Sequence, residues 1–175
     1  MTHRTAEELE AGLAEIRRAP VDHGIVALIA RRPRPAERDV LAEATLDPEV
    51  GLVGDRWLDK PDRVPGKQLT LMGVRAIRLL VPDEQDWPLA GDQLYVDLSL
   101  AGDNLPPGTR LAVGEAVIEV SVEPHRGCAK FTQRFGSEAM RWVNDQTGRA
   151  LNLRGINARI VEGGTVRRGD VIRKL

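Results

Sequence analysis

The stretch Glu123-Pro-His-Arg-Gly-Cys-Ala-Lys-Phe-Thr-Gln-Arg-Phe135 concentrates the reactive side chains of this chain and holds its sole cysteine, Cys128. His125, Arg126, Lys130 and Arg134 flank that cysteine. Positive neighbours stabilise a thiolate, the form that attacks electrophiles or binds a soft metal. The ordinary place for a free cysteine is a buried core position. A segment this polar and cationic, bent by Pro124 and Gly127, does not read as core strand. Nucleophilic chemistry of the Cys–His type is open to His125, although residues three apart on an extended loop seldom bring imidazole to sulfur, and no orienting partner is adjacent. Cys128, His125, His23 and His3 reproduce no zinc-finger or hydrolase spacing, and no Walker or Rossmann glycine loop is present.

Two further segments carry ligand-type side chains. In Leu100-Ala-Gly-Asp-Asn-Leu105, Asn104 offers a donor and an acceptor to a heterocycle or a phosphate, with an Asx turn as the plainer alternative. In Leu153-Arg-Gly-Ile-Asn-Ala-Arg159, Arg154 precedes a glycine, while Asn157 and Arg159 fall on one strand face, where arginine holds phosphate or covers a barrel rim. The loop over 31–39 brings four arginines that attract an anion or form a solvated turn. Gly-Asp recurs at Gly54-Asp55, Gly91-Asp92, Gly102-Asp103 and Gly169-Asp170; at Gly91-Asp92 and Gly169-Asp170 only a turn ahead of a strand is expected.

The elements that would position these residues are mostly short strands. Runs at 24–30, 40–46, 68–71, 93–100, 110–113, 116–122, 156–161 and 171–172 are β-rich and separated by Gly, Pro and Asp. Many short strands at close spacing predict a barrel or sandwich. Residues 1–20 form an expected helical extension: Thr5 with Glu8 is a capping box, Leu9, Leu13 and Ile16 share a face, and Pro20 ends it. Residues 21–175 form the expected β domain. Helical spacing also marks 73–81 and 137–144, the second with Ser137 as N-cap and a stop at 146–148.

Composition narrows the function classes. The chain has 175 residues with 25 Lys+Arg against 26 Asp+Glu, a net charge of −1, which removes the footprint of a general nucleic-acid or membrane-surface binder. Aromatics at 3% disfavour a base-stacking platform. One cysteine makes no internal disulfide or Cys-rich zinc site. The polar start and the lack of a long apolar run predict a cytoplasmic protein that does not engage membranes.

Taken in order, these segments resemble the MOSC domain family, the module named for the C-terminal part of molybdenum-cofactor sulfurases. The matching residues are Gly51-Leu-Val-Gly-Asp-Arg56, Gln68-Leu-Thr-Leu71, Gly102-Asp-Asn-Leu105, Pro107 to Gly114, Pro124-His-Arg-Gly-Cys-Ala-Lys-Phe131, Arg154-Gly-Ile-Asn-Ala-Arg159 and Gly163 to Asp170. The resemblance runs from about residue 24 to the end and implies a mainly β, pyruvate-kinase-like β-barrel with a few peripheral helices. It also implies that Cys128 either ligates molybdenum in a bound pterin cofactor or carries sulfur as a persulfide. Asn104 matches the asparagine of the family's Gly-Glu-Asn-Leu motif, with Asp103 shorter than the usual glutamate. Gly127 stands where many members have proline, and is expected to loosen the loop.

The resulting expectation is a stand-alone bacterial-type member, without a pyridoxal-phosphate module, that reduces small N-hydroxylated substrates with electrons from a redox partner. Cys128 would ligate the metal; Asn104, His125, Arg126 and Arg154 would hold the pterin and its phosphate, and Asp55, Lys67 and Gln68 are added by the motif. The alternatives are a sulfur carrier served by a cysteine desulfurase and a non-catalytic interaction domain.

Overall fold

The computed structural model describes residues 2–175; Met1, the first residue of the expected helical extension, lies outside the described residues. Strands β1 (His23–Arg31), β5 (Leu69–Gly73), β6 (Leu94–Asp97), β7 (Arg110–Val113), β8 (Ala116–Val120), β9 (Ile156–Glu162) and β11 (Val171–Lys174) run in the order β11-β7-β8-β9-β5-β6-β1. Pairing of β1 with β11 closes them into a seven-stranded barrel. Closure removes open edges, with β2 (Asp39–Leu41) left beside β1. A second sheet of β10 (Gly164–Arg167), β3 (Glu43–Asp47) and β4 (Gly51–Leu52) packs alongside.

Alternating side chains divide the apolar residues between two cores. Val26, Ile29, Leu69, Leu71, Leu94, Val96, Ile118 and Ile172 fill the barrel. Leu28, Ala30, Met72 and Tyr95 point outward, to helices that cover one wall. In β1 a register shift between Val26 and Leu28 changes the phase, so that Val26 and Ile29, three apart, both face inward.

The covering helices are α1 (Ala6–Ala11), α2 (Leu13–Arg17), α3 (Val74–Leu80), α4 (Ala129–Asn144) and α5 (Gln146–Ala150). The Thr5–Glu8 capping box forms in both directions, and Leu9 and Leu13 are buried in the outer core. The spacing at 137–144 found only the second half of α4. The element starts at Ala129 with Cys128 as N-cap, and Gly136, at φ +91° and ψ 169°, breaks it into two helical pieces. The expected stop at 146–148 is instead α5, because the Asp145 side chain caps it by accepting the Gly148 N–H at 2.6 Å. The single run at 40–46 divides into β2 and β3, and β4 and β10 lie outside every run read from the sequence.

Candidate functional site

Asp92, expected only to shape a turn, is the centre of the buried polar network. Its side chain is fully enclosed and takes Arg154 Nη1 on Oδ2 at 2.6 Å and His125 Nε2 on Oδ1 at 2.9 Å. Burial pushes the Asp92 carboxyl up, but the Arg154 guanidinium and then His125 outweigh it and hold it well below the usual carboxylate range. Burial, followed by the Arg154 charge, lowers the His125 imidazole below its ordinary value against the opposing pull of Asp92. An ionised Asp92 only accepts, so a neutral His125 carries its proton on Nε2 and leaves Nδ1 as a free acceptor. Here is the orienting carboxylate that the neighbourhood of Cys128 lacks in sequence; it comes from a position 33 residues away.

Around this network, four arginines grip four successive carbonyls at the end of the 3-10 helix Glu84–Ala90. Arg38 Nε donates to Pro88 O at 3.2 Å, Arg134 to Leu89 O, Arg154 Nη2 to Ala90 O at 2.8 Å and Arg32 Nη1 to Gly91 O at 3.0 Å. Carbonyls left over at a helix end carry partial negative charge and suit guanidinium donors. Arg32 is further locked by Asp55, whose two oxygens accept Arg32 N, Nε and Nη2, each at 2.9 Å. The arginine loop at 31–39 is thus partly a built feature of this site and not wholly a solvated turn; Arg34 alone is strongly exposed, beside Glu37.

The open side of the network is a cleft of about 430 Å³, within the range of small-molecule sites. Arg32, Lys60, Lys67 and Arg126 line it with Thr70, His125 and Asn157. Burial, then the adjacent Arg32 and Arg56 charges, pushes the Lys60 ammonium below the usual lysine range. This is a crowd of cations with no carboxylate among the lining residues, suited to an anionic group. A second groove of about 530 Å³ shares Pro124, His125 and Asn157 and continues past Val122 and Ile156 toward Asp103.

Of the residues singled out in the sequence, His125, Arg126, Lys67 and Asn157 line this cleft, with Arg32 from the arginine loop. Arg154 sits behind it, stacked 5.1 Å over the Phe131 ring, with a buried Nε that has no partner among the described residues. Asp55 is enclosed and serves Arg32 and the Trp57 N–H, at 3.0 Å, so it acts through Arg32 and does not reach the cleft. Gln68 accepts Ile160 N–H at 2.8 Å and donates to Pro48 O, which commits both ends of its amide to the backbone. Asn104 donates to Val21 O and Ser99 O and accepts Lys174 Nζ; it ties chain segments together away from the cleft lining. Asn157 holds Glu123 O at 3.0 Å and so fixes the segment leading to His125, while Arg159 pairs with Glu119 on the barrel exterior. Cys128 is exposed at the start of α4, not buried against aliphatic groups. Lys60 was not singled out in the sequence, Arg32 was read only as one of four loop arginines and Asp92 only as a turn residue; the roles of Arg32 and Asp92 are set by partners 23 to 62 residues away.

Residues 78–173 match the MOSC domain family. Among solved structures, the YuaD protein of Bacillus subtilis is 17% identical with a TM-score of 0.64, over 86% of this chain and 94% of that one. YiiM of Escherichia coli is 21% identical with a TM-score of 0.59, over 86% and 69%. YiiM of Geobacillus stearothermophilus is 15% identical with a TM-score of 0.58, over 87% and 75%. At such identities the likeness is one of fold. No curated protein matches the chain.

Proposed function

The chain belongs to the MOSC domain family, and from that premise we propose that it binds a molybdenum–pterin cofactor with Cys128 as the protein's ligand to the metal. The loaded site would reduce small N-hydroxylated substrates, with electrons from a partner redox protein. The observation that carries this reading is the cationic cleft backed by the Arg154–Asp92–His125 network, three residues before an exposed thiol.

The residues present suit such a group. Arg32, Lys60, Lys67 and Arg126 offer charge-assisted hydrogen bonds to a phosphate, and the unpartnered Arg154 Nε leaves a buried donor unmatched. Among the described residues no group of three or more His, Cys, Asp and Glu side chains could hold a metal ion. Cys128 would then be the protein's donor, with the other ligands arriving on the cofactor. When bound, the cofactor supplies a centre that accepts an oxygen atom and passes two electrons. The chain itself would anchor the phosphate, hold a proton acceptor at His125 Nδ1 and keep that ring in one tautomer through Asp92.

Metal analysis of protein purified from a cofactor-competent host tests the reading. Molybdenum is expected in the wild type and lost in Cys128→Ser; wild-type protein without molybdenum overturns it. The exposure of Cys128 also supports a second reading, a sulfur carrier, because a desulfurase must reach the thiol. Incubation with a cysteine desulfurase followed by mass spectrometry would then add one sulfur to Cys128, and an unmodified protein rejects that reading.

A further inference from the structure

The backbone before Cys128 is gripped by a residue 17 positions further on. Asn144 Oδ1 accepts the Gly127 N–H at 3.1 Å, and Asn144 Nδ2 donates to Gly127 O at 3.3 Å. That carbonyl belongs to the peptide whose nitrogen is that of Cys128. On the other side, Cys128 O accepts the Thr132 N–H at 3.0 Å, the first turn of α4. The chain is therefore held on both sides of the thiol, and the side-chain torsion is the freedom that remains to it.

Only the break in α4 makes this contact reachable. An unbroken helix over 129–144 would hold its ends roughly 24 Å apart. The turn at Gly136 folds the second half back, so that Asn144 at its end meets the residue before its start. The fit leaves no room at Gly127. A Cβ there would lie 2.7 Å from Met140 Sδ, 2.9 Å from Val143 Cγ2 and 3.1 Å from Asn144 Nδ2. Gly127 is buried, and glycine serves here to let the loop seat tightly on α4. The expectation that it loosens the loop is corrected by this geometry.

We propose that Asn144 is the positioning residue of the Cys128 thiol, its carboxamide gripping both peptides of Gly127 and thereby fixing the backbone that carries the sulfur, two residues after the cleft-lining Arg126. The purpose of this grip rests on the reading of Cys128 as the functional thiol; its geometry does not. Leucine at 144 keeps the volume and removes both hydrogen bonds. Aspartate keeps the acceptor for the Gly127 N–H and loses the donor.

Because Cys128 is the sole cysteine, a nitroxide label attaches there without other changes. The label on cofactor-free wild type is expected to give a slow-motion electron paramagnetic resonance spectrum. Asn144→Leu should convert most of that signal to fast motion, and Asn144→Asp, which keeps one of the two hydrogen bonds, should fall between the two. Val113→Ala, a truncation in the barrel core, should lower the melting temperature and leave the label slow. A slow label in Asn144→Leu, or equal mobilisation by Val113→Ala, overturns the proposal. Should Asn144→Leu fail to fold, Gly127→Ala takes its place, with the fast signal expected and an unchanged one overturning the assignment. In protein from a cofactor-competent host, molybdenum bound per protein should fall about tenfold in Asn144→Leu; unchanged molybdenum per protein rejects the positioning role. Wild type without molybdenum would defeat the cofactor reading alone, and the label would still decide the role of Asn144.

Discussion

At Asp92 one enclosed carboxylate balances a guanidinium 2.6 Å away and an imidazole 2.9 Å away. Replacing it by asparagine keeps the shape and strands the Arg154 charge in a buried place. Loss of one partner of such a pair costs about 3–5 kcal/mol, so Asp92→Asn should lower the urea midpoint sharply. Arg159→Ala, at an exposed pair, should cost under about 1 kcal/mol. The pH response follows from the same contacts. Both Asp92 and His125 have folded values below their unfolded ones, so the unfolded chain binds protons first on acidification. Their stability contributions are complete at neutral pH. The part from His125, which faces Asp92, Arg154 and Arg32, is lost as pH falls below about 6.5, and that from Asp92 below about 4. Melting temperature should therefore fall between pH 6.5 and 5, and His125→Gln should flatten that fall.

At the scale of elements, α4 joins the thiol to the outer core. Phe131, Phe135 and Trp142 on α4 pack in one cluster with Leu9 and Leu13 of α1 and α2. Leu9 is fully buried, and its truncation to alanine should cost about 2–5 kcal/mol. Hydrogen exchange is expected to quicken in α4 of Leu9→Ala before it does so in β5, β8 or β9, since the barrel has its own core. Equal acceleration everywhere would show the two cores to be one cooperative unit. This element also marks where sequence periodicity stopped short. Met140 and Val143 made its second half visible, whereas its first half begins inside the polar, cationic segment around Cys128 and carries no apolar stripe long enough to read.

For the whole molecule, a net charge of −1 conceals a local excess of cations around one cleft. Arg32, Arg38, Arg56, Lys60 and Arg134 lie close enough to act on one another, and the buried carboxylates among them are Asp55 and Asp92. Closing seven strands into a barrel sets Thr70 of β5 and Asn157 of β9 beside loop residues contributed by the chain after β1, around Lys60 and ahead of α4. No helix among the described residues is long and apolar enough to cross a membrane.

Local patterns in the sequence determined the β-rich runs, such as those of β1, β7 and β9, the Thr5–Glu8 cap, and the segment in which chemistry concentrates, because each depends on neighbours within a few residues. Family resemblance extended that reading to a barrel and to the expectation of a functional cysteine. Tertiary structure alone decided which polar residues face the cleft. Asn104, Gln68 and Asp55 have ligand-type side chains, yet their hydrogen bonds are taken by the backbone, Lys174 and Arg32. Asp92 looks like a turn residue and orients His125. A side chain's role is set by whichever partner reaches it first in space, and here those partners, Ser99 beside Asn104 and Trp57 beside Asp55 apart, lie 20 to 92 residues away in the chain.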